Sequence, residues 1–149
     1  MDAPLEPTHA YAASKAAATM AAVALAVEQQ VELVLLRPFH VFGEGEASQR
    51  FWPSLRKAAL AGEDFPMTVG EQIRDFIPVE KVADAFVSAL ARTDLRAGEP
   101  KIKNVGTGKP QTLRAFARHW WKQWGAQGKL KIGDVPYRVN EIMRYVPQI

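Results

Sequence analysis

The period of hydrophobic and polar positions changes several times along the chain, and each change marks an element. Residues 10–30 are dominated by alanine and other apolar side chains. Alanine is the best helix former, so one helix is predicted there, with side chains small enough to let a neighbour approach closely. Residues 31–36 are β-branched or apolar at nearly every position, the pattern of a strand buried on both faces. Arg37-Pro38 ends it. A loop with Gly43 and Gly45 leads to a helix over about residues 49–61, stopped by Gly62. Residues 65–69 and 74–77 are short extended pieces, the second closed by Pro78. Residues 79–92 predict a helix with Val82, Ala83, Phe86, Val87 and Leu90 on one face. A strand over residues 101–105 runs into the turn Gly106-Thr107-Gly108. Thr112 then caps a helix carrying Leu113, Phe116, Ala117, Trp120 and Trp124 along one side. Residues 1–9, with Pro4 and Pro7, read as an extended arm.

Strands alternating with helices predict an α/β architecture. A buried parallel strand needs a neighbour on each side, and this chain supplies few, so the parallel sheet is expected to be incomplete. Neither an internal repeat nor a low-complexity linker breaks the pattern, and 149 residues suit a single domain over 1–149.

The chemistry is concentrated near the start of the alanine-rich helix, in Tyr11-Ala12-Ala13-Ser14-Lys15. Residues four apart lie one above the other on a helix face. There a lysine ammonium can stabilise a phenolate and let tyrosine, with a reference pKa of about 10, act as acid or base near neutrality. Nicotinamide-dependent carbonyl and alcohol chemistry uses that arrangement. It also needs a dinucleotide-binding half, normally placed upstream, yet only ten residues precede Tyr11.

Composition narrows the classes. There are no cysteines, which excludes disulfides and thiolate metal sites and suits a reducing cytoplasm. A net charge of +3 is small for this length, and a pI near 9.3 permits phosphate or nucleotide binding without marking a nucleic-acid surface. The apolar run over residues 16–27 falls short of the ~20 residues that cross a bilayer, and the acidic, proline-bearing segment before it is unlike a signal peptide. A cytoplasmic protein without membrane or nucleic-acid partners is expected. His9, His40 and His119 share no metal-ligand spacing, so no metal site is expected. Gly106-Thr107-Gly108-Lys109 lacks the spacing of a phosphate loop and reads as a strand-to-helix turn. Trp120 and Trp124 lie on an apolar helical face, which favours core packing over stacking on nucleic-acid bases.

Four blocks, in order, carry a family resemblance: Tyr11-Ala-Ala-Ser14-Lys15; Leu36-Arg37-Pro38-Phe39-His40-Val41-Phe42-Gly43; Gly70-Glu-Gln-Ile-Arg74-Asp75-Phe76-Ile-Pro-Val79; and Asn104-Val105-Gly106-Thr107-Gly108 with Pro136-Tyr-Arg138-Val-Asn-Glu141. With them the chain resembles the C-terminal portion of the extended short-chain dehydrogenase/reductase family, the NAD(P)-dependent sugar-nucleotide epimerases, dehydratases and reductases. The resemblance implies a partial Rossmann-like fold: the C-terminal half of such an enzyme, with an incomplete parallel sheet and a small substrate-binding lobe.

It also implies roles. Tyr11 would be the general acid/base, exchanging a proton with a sugar hydroxyl while hydride moves to or from the nicotinamide. Lys15 would be its partner and hold the nicotinamide ribose, with Pro38 and Phe39 near the nicotinamide. His40 stands where the family often has an asparagine facing the substrate diphosphate, and its charge is expected to depend on pH. Arg74 and Arg138 would reach the diphosphate, which guanidinium forks bind bidentately, and Glu141 would accept hydrogen bonds from the nucleotide ribose. Two local alternatives stay open: an Arg74–Asp75 ion pair closing a turn, and an Arg138–Glu141 pair.

The family's glycine-rich pyrophosphate turn is not among these residues. NAD or NADP is therefore implied by the family, while turnover by this chain alone is not expected. Alternatives are a non-catalytic remnant that self-associates or binds nucleotides, or a module that pairs with a separate chain. A homo-oligomer with the helix over residues 10–30 at its interface is expected, because that helix and the strand after it would otherwise expose apolar surface.

Overall fold

The computed structural model describes Pro7 and residues 9–149, so most of the expected arm over residues 1–9 lies outside the described residues. The chain divides into two compact units. Residues up to Arg37 together with residues 86–103 form the first, and residues 38–85 and 104–149 form the second.

In the first unit, helix α1 (Ala10–Glu28) follows the alanine-rich run. Its N-cap is His9, whose Nδ1 accepts the Ala12 N–H at 3.2 Å, satisfying one of the unpaired amides of a helix start. The helix ends two residues before the predicted Gln30, which takes a left-handed φ of 52°. Of its nineteen residues only Ala26 is buried. Strand β1 (Val34–Pro38) begins three residues later than expected and runs through Arg37-Pro38. It is half-buried rather than enclosed on both faces, because its sheet contains one neighbour, β6 (Lys101–Val105). The turn leading to β6 is held by the Gly98 N–H on Val31 O and the Lys101 N–H on Leu33 O. Asp94 locks the same turn by accepting from Arg92 and Lys101. Those bonds, Arg92 first, hold its carboxyl well below the usual range.

The second unit contains the core. Strand β2 (His40–Phe42), which the hydrophobic pattern did not reveal, pairs in parallel with β5 (Phe76–Pro78), His40 opposite Phe76. Helix α2 (Phe51–Ala61) ends as predicted on Gly62, whose φ of 72° suits a residue without a Cβ. Strand β3 (Phe65–Met67) pairs in parallel with β8 (Leu130–Ile132). Strand β4 (Ile73–Arg74) lies between β7 (Gln111–Thr112), antiparallel, and β9 (Arg144–Tyr145), parallel. Strands β7, β8 and β9 are too short for an alternation to announce them. Helix α3 (Val79–Leu90) starts directly after Pro78 and carries on into the first unit. Thr112 caps α4 (Leu113–Gln123), its Oγ1 accepting the Ala115 N–H at 3.1 Å.

Helices α2 and α4 close the core. The Phe76 and Phe116 rings stack 3.9 Å apart, with Trp52 in the same cluster and Trp120 and Trp124 packed against it. Leu55, Met67 and Ala117 form a second cluster beside it. Fully burying a side chain such as Leu55 stabilises by about 1.5–3 kcal/mol. The two tryptophans thus pack, half-buried, against the core, as their helical face implied. The apolar face expected on α3 is only partly used: Val82 is buried, while Phe86, Val87 and Leu90 stand at 51%, 67% and 89% exposure.

Candidate functional site

A cavity of about 520 Å³ opens in the second unit, lined by residues from β2 to β5, α2, α4 and the segment before β9. His40, Arg74, Arg138 and Glu141, separated by up to about a hundred positions in sequence, all line it. The volume is within the ~300–1,000 Å³ of ordinary small-molecule sites.

Arg74 is the best-defined member. Its Nη1 donates to Ile73 O at 2.9 Å, and its Nη2 to Ile142 O at 2.6 Å and to Glu141 Oε1 at 3.3 Å. The two side chains are 12% and 22% exposed. Burial lowers the arginine's pKa, and the Glu141 carboxylate works against that shift. Both local alternatives are thereby corrected. Arg74 pairs with Glu141, not with Asp75, and Glu141 meets Arg138 only through a backbone bond, Glu141 N–H to Arg138 O.

Asp75 has a different task. It is fully buried and accepts the N–H groups of Thr107 and Gly108 at 2.8–2.9 Å, together with the Thr107 hydroxyl. A Cβ on Gly106 would stand 2.8 Å from Asp75 Oδ2, so the close approach requires glycine.

His40 sits edge-on to the Phe76 ring, centroids 5.0 Å apart. Burial, then the positive charges of Arg74 and Arg50, push its pKa down to about 4. The ring is therefore neutral around pH 7, and its charge changes in the acid range.

Several lining residues were not singled out in the sequence. Arg50 and Glu46, joined by a 3.1 Å ion pair, face the cavity from the turn before α2. Gln72 lies within the third motif block and exchanges hydrogen bonds with Thr68. Nothing in periodicity marks Arg50 or Glu46. Two buried polar atoms in the wall, Glu46 Oε2 and Trp52 Nε1, make no hydrogen bond.

The Tyr11–Lys15 pair belongs to the first unit. Lys15 Nζ stands over the Tyr11 ring, 5.5 Å from its centroid, and Tyr11 is 69% exposed. Ser14 is turned back on the helix, its hydroxyl donating to Tyr11 O at 2.8 Å. Pro38 is exposed at the end of β1, and the Phe39 ring stacks on Tyr145 at 4.8 Å.

The glycine turn after β6 follows a strand and precedes a helix, as a pyrophosphate cradle would. Its Thr107 and Gly108 N–H groups already serve Asp75, so they are not offered to a phosphate. Among the described residues no cluster of histidine or acidic side chains could hold a metal ion.

Comparison with known proteins places the chain. The model of the NAD dependent epimerase/dehydratase family matches residues 1–106, and the chain belongs to that family. It is 32% identical over 108 residues to a CDP-abequose synthase of Salmonella muenchen, an alignment covering 72% of this chain and 36% of that protein. The structure of a dTDP-glucose 4,6-dehydratase from Bacillus anthracis in complex with NAD superposes with a TM-score of 0.81 at 25% identity, over 99% of this chain and 45% of that one. An NAD-dependent NDP-hexosamine 5,6-dehydratase of tunicamycin biosynthesis superposes at 0.76 with 30% identity, over 97% and 46%. The α/β fold is therefore that of Rossmann-like epimerases and dehydratases. The chain spans 21–38% of the curated relatives and about half of the solved chains it matches.

Proposed function

We propose that this chain is the half of an NAD(P)-dependent nucleotide-sugar epimerase, dehydratase or reductase that binds the nucleotide sugar and presents the catalytic tyrosine. The observation that carries this reading is the convergence of His40, Arg74, Arg138 and Glu141 on one cavity. Two guanidinium groups suit a diphosphate, the carboxylate of Glu141 suits the hydroxyls of a ribose, and the aromatic wall of Phe42, Phe51 and Trp52 suits a base or sugar face.

Tyr11 exchanges a proton with a sugar hydroxyl, and Lys15 favours the ionised phenol. Pro38 and Phe39 face the nicotinamide. The pyrophosphate of NAD or NADP is held by polypeptide other than these 149 residues, so the chain alone is inactive. A cytoplasmic setting follows from the same reading.

A second reading, an assembly module without turnover, is favoured by α1. That helix is long and apolar enough by length and composition to cross a membrane, and it is almost wholly exposed. Helices apolar on all sides are normally covered, and a second copy of the chain is the occupant we favour over a bilayer.

A thermal-shift panel tests the first reading. UDP-, dTDP- and CDP-sugars should raise the melting temperature by several degrees, and Arg138→Ala should abolish the rise while leaving the unliganded Tm within about 2 °C. A flat response to every nucleotide sugar would overturn it.

A further inference from the structure

We propose that His40 takes up a proton when a diphosphate-bearing ligand enters the cavity, turning a neutral ring into a cationic donor to the bound anion. The inference rests on the reading of this cavity as the nucleotide-sugar site.

The burial of the ring and the charges facing the cavity explain it. Arg50 and Glu46 lie on the turn before α2, Arg74 on β4, and Arg138 and Glu141 on the segment before β9. Strands β3 and β5 and helix α4 contribute no charged group to the lining. Two of the three cations, Arg50 and Arg74, act on the His40 ring, while each carboxylate is tied to one of those arginines. In the unliganded chain burial first, then Arg74 and Arg50, disfavour the charged ring, and it stays neutral.

A diphosphate reverses the sign. It brings two negative charges into the space bounded by these arginines, and an anion within ~4–6 Å of an imidazole favours the imidazolium. The proton comes from solvent and adds to the free ring nitrogen, with no other bond made or broken. Both ring nitrogens are then donors, and one can serve a phosphate oxygen. The site would bind its ligand more tightly as the pH falls toward 6, while the NH2 group of an asparagine at this position would donate with no such dependence.

Titration calorimetry of the full chain with UDP-glucose and dTDP-glucose tests this, because their diphosphodiesters do not themselves titrate near pH 6. Runs at pH 6.0 in Bis-Tris and in cacodylate, which differ widely in protonation enthalpy, report proton transfer. We expect uptake of about half a proton or more per ligand bound, vanishing by pH 8.5. The His40→Asn variant should bind without proton uptake. In the unsubstituted chain the His40 C–H resonance should titrate at least about two pH units higher with ligand than without it. Binding with no buffer dependence and an unmoved His40 titration overturns the inference and leaves the cavity reading intact. Binding of neither sugar nucleotide overturns both.

Discussion

The Asp75 carboxylate holds the turn at Thr107 from thirty-two residues away, accepting the Thr107 N–H with both oxygens at 2.9 Å. It also accepts from Gly108 N at 2.8 Å and from the Thr107 hydroxyl. One buried side chain therefore joins the motif that begins at Gly70 to the motif that ends β6. Removing it leaves two amides unsatisfied, at ~1–3 kcal/mol each. Asp75→Ala should cost about 2–5 kcal/mol in urea unfolding, and Thr107→Val, which removes one hydroxyl, about 1 kcal/mol.

Arg74 fixes the segment before β9 through Ile142 O and Glu141. Losing one partner of such a pair leaves the other unpaired and partly buried. Arg74→Ala should lower stability by about 1–3 kcal/mol and raise hydrogen exchange at residues 141–145 above that in α4. Arg74→Lys should restore little, because an ammonium lacks the planar fork that serves the carbonyl and the carboxylate together.

The His40 pKa of about 4 lies below its unfolded value of 6.5. The unfolded chain therefore binds more protons between those limits, and stability falls as pH drops from 6.5 to 4. The loss is at most about 3 kcal/mol, less where solvent reaches the ring. Urea midpoints across that window should decline, and His40→Asn should remove this part of the slope.

Helix α1 exposes Met20 at 64% and Leu25 at 58%. If a second copy covers this helix, Met20→Lys and Leu25→Glu should each shift the sedimentation profile toward monomer while the helical circular dichroism stays unchanged. A monomeric parent chain at micromolar concentration would contradict the assembly reading.

The long periodic elements were legible in the sequence for physical reasons. Alanine content set α1, Gly62 and Thr112 set the end of α2 and the start of α4, and the spacing of Phe116, Trp120 and Trp124 set the aromatic core. The edges of the small sheets were not legible. Strands β7 and β9 have two residues each, and tertiary pairing rather than local alternation makes them strands. For the site, the motif blocks pointed to His40, Arg74, Arg138 and Glu141, which share the cavity. Who pairs with whom was hidden, since Arg74 meets Glu141 across sixty-seven positions. Arg50 and Glu46 were missed because a charged pair in a turn looks like any solvated surface. The burial that makes His40 neutral depends on packing against Phe76, which no local pattern encodes.

The central claim, that this cavity is a nucleotide-sugar site, is tested most directly by calorimetric titration of the chain at pH 7.5. The titrants are UDP-, dTDP- and CDP-sugars, with NAD+ and NADP+ alongside. The account predicts saturable binding of at least one nucleotide sugar, weakened about tenfold or more by Arg138→Ala, and no binding of either dinucleotide. Dinucleotide binding without any nucleotide-sugar binding would contradict it.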